Sequence, residues 1–170
     1  MKDLNAERLS IRLLKDADIQ RVKAWLYKEH IQKWYGDPCE WLAEINDRKG
    51  HFVWITHCII QYNHEPIGFC QYYECSKTGQ GYAWDHEPPG TFGIDYCIGE
   101  ENYLGQGLAN CIVKLIGQQV IKNGSAIQLI ADPAPENIKS IRVLEKNGYV
   151  LCPATGLYKL AINRFPDSIN

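Results

Sequence analysis

Alternating and helical hydrophobic patterns divide the first half of the chain into a strand, two helices and a hairpin. Residues 9–13 alternate apolar and polar side chains, as a strand does. Asp16 fits an N-cap for a first helix that ends before Trp34 and carries one apolar face, made of Ile19, Val22, Trp25 and Leu26. A second helix is predicted over residues 38–46, because proline is favourable at a first helical position. Residues 52–62 and 67–74 then predict two strands joined by a turn.

The second half alternates strands with helices after a long loop. Residues 76–90 are rich in glycine, proline and acid, and loops of this length without regular structure are usually functional or disordered. The elements that follow are a strand at 91–98, a helix at 105–121, a strand at 127–131, a helix at 136–147 and strands at 149–152 and 157–162. This order predicts an α/β domain with a mixed sheet.

Composition limits the function classes. Apolar residues make up 45% of the 170 residues and charged residues 22%, which predicts one globular domain over residues 1–170. A formal charge of −2 disfavours nucleic acid as a partner. No apolar run is long enough for a membrane span and the first residues do not start a signal peptide, so we expect a cytoplasmic protein without a membrane partner.

The cysteines and histidines suggest neither disulfides nor a metal. The seven cysteines are scattered without a Cys-x-x-Cys pair, which is typical of reduced, buried side chains, and the five histidines lack metal-ligand spacing. A cysteine nucleophile has no support, because the sequence pairs none of the cysteines with a histidine.

A glycine-rich turn between the strand at 91–98 and the following helix is a candidate phosphate site. It consists of Leu104, Gly105, Gln106, Gly107, Leu108 and Ala109. Small residues let a ligand approach the main chain, and the first amides of a helix suit an anion. The alternative is a tight turn without a ligand. A third glycine and a Gly-Lys-Ser/Thr sequence are both missing, which disfavours a Rossmann fingerprint and a P-loop.

Two motifs in the correct order resemble the GCN5-related N-acetyltransferase (GNAT) family. The glycine turn is similar to the family's acetyl-coenzyme A loop, Arg/Gln-x-x-Gly-x-Gly/Ala, with Leu104 in the place of Arg or Gln. Residues 137–149 resemble its Asn-x-x-Ala-x-x-x-Tyr-x-x-x-Gly-Phe/Tyr motif. The resemblance implies a mixed, mostly antiparallel sheet of about six to seven strands flanked by about four helices. It also implies acetyl-coenzyme A as cosubstrate and no metal.

The resemblance is greatest to the aminoglycoside 6'-N-acetyltransferases. It extends over nearly the whole chain from Leu9 to Arg164, through residues 30–36, 65–72, 93–95, 104–108 and 132–137. The implied function is acetyl transfer to a primary amine of an aminoglycoside-like aminosugar, by direct attack in a ternary complex. Siderophore-building N-acyltransferases resemble the same segments, and a protein N-terminus is a further alternative acceptor.

The resemblance also implies residue roles. Asp95 would be the general base, consistent with a carboxylate within an apolar strand, where the alternative is a structural carboxylate. Main-chain groups of Cys97, Ile98 and Gly99 would hold the pantetheine arm and polarise the acetyl carbonyl. Asn137 would bind the same arm or serve only as a helix N-terminal residue. The acceptor would meet aromatic and acidic side chains, namely Trp34, Tyr35, Tyr82, Trp84, Asp85, Glu87 and Asp132.

One family residue is missing. The tyrosine that serves as general acid in the resembling enzymes is replaced by Leu144, which cannot donate a proton. A thiol pKa of about 8–9 makes a thiolate a tolerable leaving group, so catalysis without this acid is possible. The replacement also leaves open a non-catalytic acetyl-coenzyme A-binding protein. A monomer and a homodimer both fit the sequence.

Overall fold

The computed structural model describes residues 6–165, which form one seven-stranded sheet and five helices. The strands are β1 (Leu9–Leu13), β2 (Ile55–Tyr62), β3 (Glu65–Glu74), β4 (Thr91–Ile98), β5 (Gln128–Ala131), β6 (Val150–Leu151) and β7 (Tyr158–Ala161). The helices are α1 (Ile19–Leu26), α2 (Glu29–Tyr35), α3 (Pro38–Asn46), α4 (Leu108–Lys122) and α5 (Ile138–Lys146). The strand order is β1-β2-β3-β4-β5-β7-β6, with β4 and β5 parallel. The predicted mixed, mostly antiparallel architecture is confirmed.

The described residues fall into two compact units. The first comprises the residues up to Gln71 together with Tyr96–Leu108, and the second comprises Tyr72–Asp95 with the residues from Ala109 onward. The boundaries lie inside β3 and β4, so each of these strands contributes residues to both units. The expectation of a single domain over residues 1–170 stays a prediction.

The first predicted helix is two helices, which corrects the sequence analysis. The chain leaves the helix at Tyr27, and Lys28 is extended (φ −71°, ψ 136°) before α2 begins. In a continuous helix, Ile31 would point about 140° away from Leu26, because each residue turns about 100°. The break lets both side chains enter the same core, where each is almost fully buried.

The cap of α1 also differs from the prediction. Asp18 is the residue that precedes α1, and its carboxylate accepts a hydrogen bond from the Lys15 amide at 2.8 Å. Asp16 begins a 3-10 turn, and its carboxylate is paired with Arg48 and Lys49. The predicted helix at 38–46 is confirmed, with Asp37 as the cap that accepts from the Cys39 amide at 2.8 Å.

The core of the first unit forms under α1, α2 and α3. Its buried members are Leu14, Val22, Trp25, Leu26, Ile31, Ile45, Ile59, Phe69 and Cys97. Trp25 lies directly against the main chain of Gly99, where an added Cβ would come within 2.2 Å of the indole ring. Only glycine permits this approach, so Gly99 fixes the indole against the end of β4. The Trp25 Nε1 then donates to the Glu100 carboxylate at 2.9 Å.

The second unit contains a smaller cluster at the start of the long loop. Cys75, Ile130 and Leu157 are buried there, and the rings of Tyr73 and Trp84 pack against them. Within residues 6–165, every helix is too short or too polar to cross a membrane.

A two-bond ion pair ties β1 to the turn before α1. Arg12 Nη1 and Nη2 donate to the two Asp18 carboxylate oxygens at 2.7 and 2.8 Å, and the Asp18 side chain is 9% exposed. The hydrogen bonds from Arg12 are the main reason that the pKa of Asp18 lies below its usual value, against the opposing effect of burial. The folded state therefore favours the ionised carboxylate more than the unfolded chain does.

The ion pair predicts a stability loss in acid. The contribution of Asp18 is fully present above the ordinary carboxyl pKa of about 3.9, and it is lost as pH falls through the lower folded-state pKa. We expect Asp18→Asn to reduce the free energy of unfolding by about 1–3 kcal/mol at pH 7. The difference from the wild type should shrink near pH 3, as measured by urea denaturation at both pH values. Asp16→Asn, at an exposed ion pair, should change stability less. A deficit that is the same at both pH values would contradict this account.

Candidate active site

The glycine turn precedes α4 and has an open main chain. Leu104 is extended, and Gly105 and Gly107 have φ values of +70° and +77°, which residues other than glycine rarely adopt. Apart from the chain neighbours, no heavy atom would lie within 4 Å of a Cβ built on either glycine. The glycines are therefore required for backbone conformation, and the space beside them fits a ligand that approaches the main chain. Leu108 is buried and begins α4, and Ala109 follows it, so the turn leads directly into the amides of a 15-residue helix.

Asp95 lies on β4 beside a ring that the sequence did not reveal. Gly93 is two residues before Asp95, so the two positions face the same side of the strand. A Cβ on Gly93 would come within 2.6–2.8 Å of the ring and hydroxyl of Tyr73. Tyr73 therefore covers the face of β4 from which the half-buried Asp95 projects. A glycine inside an apolar strand is the signal that indicates this close approach.

A buried thiol beside Asp95 stays protonated. Burial raises the pKa of Cys75 to about 12, a backbone hydrogen bond with Gly93 opposes the shift, and the carboxylates of Glu87, Asp95 and Glu74 add to it. A thiol with this pKa is not a nucleophile at neutral pH. Two of these three carboxylates are paired with lysines, Glu74 with Lys77 and Glu87 with Lys159.

An aromatic row extends from β3 into the long loop. The Tyr73 and Trp84 rings lie 6.2 Å apart, and Trp84 stacks on Tyr82 with centroids 4.7 Å apart and planes only 6° from parallel. Trp84 Nε1 donates to the Thr78 hydroxyl at 2.8 Å, which fixes its indole. Tyr82 is 48% exposed, so the row ends in a ring face that a solute can reach.

The two predicted acidic residues of this loop have partners in the second unit: those of Asp85 lie in the loop itself, and those of Glu87 lie outside it. The Asp85 carboxylate accepts from the amides of Gly81 and Tyr82 at 2.6 and 3.0 Å. Glu87 forms an ion pair with Lys159 and accepts from Gln128 Nε2 at 2.7 Å. Both carboxylates therefore shape the loop, and the charge of Glu87 is largely offset.

Asp132 and Asn137 lie on either side of the turn that leads into α5. Desolvation by neighbouring groups raises the pKa of Asp132, although its side chain is exposed. Asn137 is the N-cap of α5, and its Oδ1 accepts from the Ser140 amide at 3.2 Å. This is the structural role that the sequence analysis gave as the alternative for Asn137, and any cofactor contact would fall to its Nδ2.

In the first unit, side chains of residues 28–35 contact the carbonyl groups at the end of β4. Tyr35 donates its hydroxyl proton to the Tyr96 carbonyl oxygen, and its ring lies 4.8 Å from Trp41. His30 Nε2 lies 3.0 Å from the Ile98 carbonyl oxygen, and Lys28 Nζ lies 2.8 Å from that of Gly99.

Three other predicted site residues of the first unit, Gly99, Cys97 and Trp34, also have contacts within that unit. The Gly99 amide donates to the Ile67 carbonyl oxygen at 2.8 Å, and the Cys97 side chain is buried in the core. The ring of Trp34 is half-buried and covered by Lys33 Nζ at 4.6 Å from its centroid. The residue roles predicted from the resemblance stay predictions.

Comparison with known proteins identifies the family. Residues 15–155 match the acetyltransferase (GNAT) domain family. The chain belongs to the GNAT family of acetyltransferases. The predicted resemblance and the enzyme class, an N-acetyltransferase that depends on acetyl-coenzyme A, are confirmed.

Individual GNAT relatives carry aminoglycoside names. The chain is 28% identical to aminoglycoside N(6')-acetyltransferase type 1 of Klebsiella pneumoniae over 149 residues, which cover 84% of this chain and 74% of the relative. It is similar to the structure of aminoglycoside acetyltransferase AAC(6')-Ib in complex with coenzyme A and kanamycin, with a TM-score of 0.78, 26% identity and coverage of 91% and 95% of the two chains. The complex of AAC(6')-Ib with paromomycin and acetyl-coenzyme A gives a TM-score of 0.78 at 25% identity, with coverage of 94% and 99%.

The GNAT family tyrosine is replaced by a buried side chain. Leu144 lies in α5 and is 1% exposed. It has no proton to donate, and its burial leaves little room for a larger side chain. Among residues 6–165, no group of three or more His, Cys, Asp and Glu side chains is placed to hold a metal ion.

The contact between Gly93 and Tyr73 predicts that substitutions at these two positions have strongly coupled effects on stability. Gly93→Ala should lower the free energy of unfolding by about 1–3 kcal/mol, because the new Cβ overlaps the Tyr73 ring. In a Tyr73→Ala background the same change should cost much less, because the ring is gone. Urea denaturation of the four proteins in this double-mutant cycle measures the coupling. Equal costs in the two backgrounds would show that another contact makes Gly93 necessary.

Proposed function

We propose that this GNAT enzyme transfers the acetyl group of acetyl-coenzyme A to a primary amine of an aminoglycoside-like aminosugar, at the 6' position. The observation that carries the proposal is the aromatic row of Tyr73, Trp84 and Tyr82, which begins on the face of β4 that bears Asp95. Aromatic faces bind sugar rings and attract cations. The relatives named for aminoglycosides support the same class of acceptor.

The charge distribution of the second unit supports a cationic acceptor. Glu74, Glu87 and Asp95 all act on the Cys75 thiol; Lys159 largely offsets Glu87, and Lys77 Nζ lies 3.6 Å from the Glu74 carboxylate. The remaining negative potential attracts a polyamine and disfavours an anionic substrate. We assign Asp95 and Asp132 to the amine groups, and we assign Asp85 and Glu87 to the support of the loop that carries the aromatic rings. Trp34 and Tyr35 stay predicted acceptor contacts.

Asp95 is the proposed general base. An ammonium ion cannot attack a thioester, so the acceptor must lose a proton as the new bond forms. A carboxylate in reach of the amine, directly or through one water, accelerates such a step by about 10²–10⁴-fold. The high pKa of Cys75 favours direct attack by the amine over an acetyl-cysteine intermediate at this position.

The glycine turn is the proposed cosubstrate site. Acetyl-coenzyme A supplies an acetyl thioester, whose thiolate is a tolerable leaving group. The main chain of Leu104, Gly105, Gln106, Gly107, Leu108 and Ala109 would hold its diphosphate, because φ values and open space at the two glycines leave the amides accessible. Main-chain groups of Cys97, Ile98 and Gly99 and the Asn137 amide would orient the pantetheine arm.

A panel of acceptors tests the proposal. We expect purified protein with acetyl-coenzyme A to release free thiol when a kanamycin-like amine is added, and not with a matched aminosugar that carries a hydroxyl group at 6'. Thiol release with a hydroxylamine or a peptide N-terminus alone would move the acceptor to the alternative classes. Coenzyme A binding without any thiol release would favour the non-catalytic protein that Leu144 suggests.

Asp95→Asn should separate chemistry from binding. The amide cannot accept the proton, so kcat should fall at least tenfold, whereas the dissociation constant of coenzyme A should change less than twofold. Steady-state kinetics and calorimetry measure the two quantities. Asp16→Asn is the control for loss of a carboxylate, because Asp16 is exposed and paired with Arg48 and Lys49. Unchanged turnover in Asp95→Asn would remove this residue from the mechanism.

A further inference from the structure

Three side chains of residues 28–35 bind carbonyl oxygens at the end of β4 and directly after it. Tyr35 donates to Tyr96, His30 to Ile98 and Lys28 to Gly99. A carbonyl oxygen only accepts hydrogen bonds, so His30 Nε2 carries the proton in this contact. We call these three side chains the carbonyl clasp. Donors from one short segment thus follow the strand along its length.

The Tyr35 and His30 contacts of the clasp lie on the edge of β4 that faces away from β3, whereas the Lys28 contact is made just beyond the strand, at Gly99. The Gly99 amide points to the Ile67 carbonyl oxygen, and a Cβ on Gly68 would lie 2.2 Å from the Cys97 carbonyl oxygen, so residues 97 and 99 face β3. Main-chain groups alternate in direction along a strand, so the carbonyls of Tyr96 and Ile98 face the opposite edge. The parallel register of β4 with β5 runs from Thr91↔Gln128 to Gly93↔Ile130, before these residues.

Occupied carbonyl oxygens change what this edge can bind. A bare strand edge offers donors and acceptors in alternation and therefore pairs with another strand. Where the oxygens are already bonded to donors, their partial negative charge is offset; the Lys28 ammonium, which also lies 3.9 Å from the Glu100 carboxylate, is one of these donors. Such an edge favours a group that brings carbonyl oxygens of its own, and it is less repulsive to an oxyanion that develops nearby.

We propose that His30 and Tyr35 are positioning residues for the thioester, acting through the main chain of β4 and not through the acceptor. This inference rests on the proposed cosubstrate site at residues 97–99. It gives the Tyr35 hydroxyl a different role from the acceptor contact predicted by the resemblance. It also gives His30, within the segment 30–36, a role that the sequence did not indicate.

The test compares variants that remove a donor with one that keeps it. His30→Leu removes the donor, whereas His30→Gln places an amide NH₂ at a similar reach. Tyr35→Phe removes only the hydroxyl group and retains the ring beside Trp41. Tyr27→Phe is the matched control, because Tyr27 is exposed and its hydroxyl lies 3.7 Å from the Cys39 sulfur, away from β4.

The expected result is a selective loss of acetyl-coenzyme A use. In His30→Leu and Tyr35→Phe, kcat/KM for acetyl-coenzyme A should fall about three- to tenfold, the effect of one hydrogen bond, while KM for the acceptor changes less than twofold. His30→Gln should restore most of the loss, and Tyr27→Phe should match the wild type. Thermal unfolding of all variants monitors the fold.

Two results would overturn the inference. One is equal behaviour of His30→Leu and His30→Gln, which would show that the donor is irrelevant. The other is a rise in acceptor KM in Tyr35→Phe with acetyl-coenzyme A parameters unchanged, which would return Tyr35 to the acceptor site. Calorimetry with coenzyme A alone separates the two proposals. Wild-type protein that fails to bind it refutes the cosubstrate site, whereas intact binding together with an unchanged kcat/KM for acetyl-coenzyme A in His30→Leu refutes the clasp alone.

Discussion

Close approach to the main chain of β4 is the constraint on which the proposed site depends. Tyr73 lies against Gly93, Trp25 lies against Gly99, and Gly68 lies under the Cys97 carbonyl oxygen. At each of these points a single methyl group would overlap a neighbour. The main chain at these points is therefore closely packed, which fits the proposal that its peptide groups hold the cosubstrate.

The electrostatics of the second unit follow from how its acids are paired. Lys159 and Gln128 engage Glu87, main-chain amides engage Asp85, and the Asp95 carboxylate acts on a thiol that burial already keeps neutral. The acids that hold the loop are thus different residues from Asp95, the proposed general base. Asp85 holds the main chain at Tyr82, and the Thr78 hydroxyl holds the indole of Trp84.

The order of elements was predictable because hydrophobic periodicity, helix caps and turn residues are local properties of the sequence. Proline and the Asp37 cap define the start of α3, and Asn63 and His64, both with positive φ, turn the chain between β2 and β3. The single long helix before Trp34 was wrong, because periodicity within residues 19–26 does not reveal that Ile31 must reach the same core. The prediction of Asp16 as the cap of α1 was wrong for a similar reason: Asp18 precedes the helix, and its carboxylate pairs with Arg12, a residue of β1.

By itself, the sequence determined the family, the glycine turn before α4 and the candidate base Asp95, since these are carried by residue types at fixed spacing. The tertiary structure alone placed Tyr73 over Gly93, paired Glu87 with Lys159, and directed His30 and Tyr35 to the carbonyl groups of β4. Each of these contacts joins residues that lie 20 to 72 positions apart in the sequence, on different strands, helices or loops. Packing and strand register decide these partners, and a local sequence pattern predicts neither packing nor register.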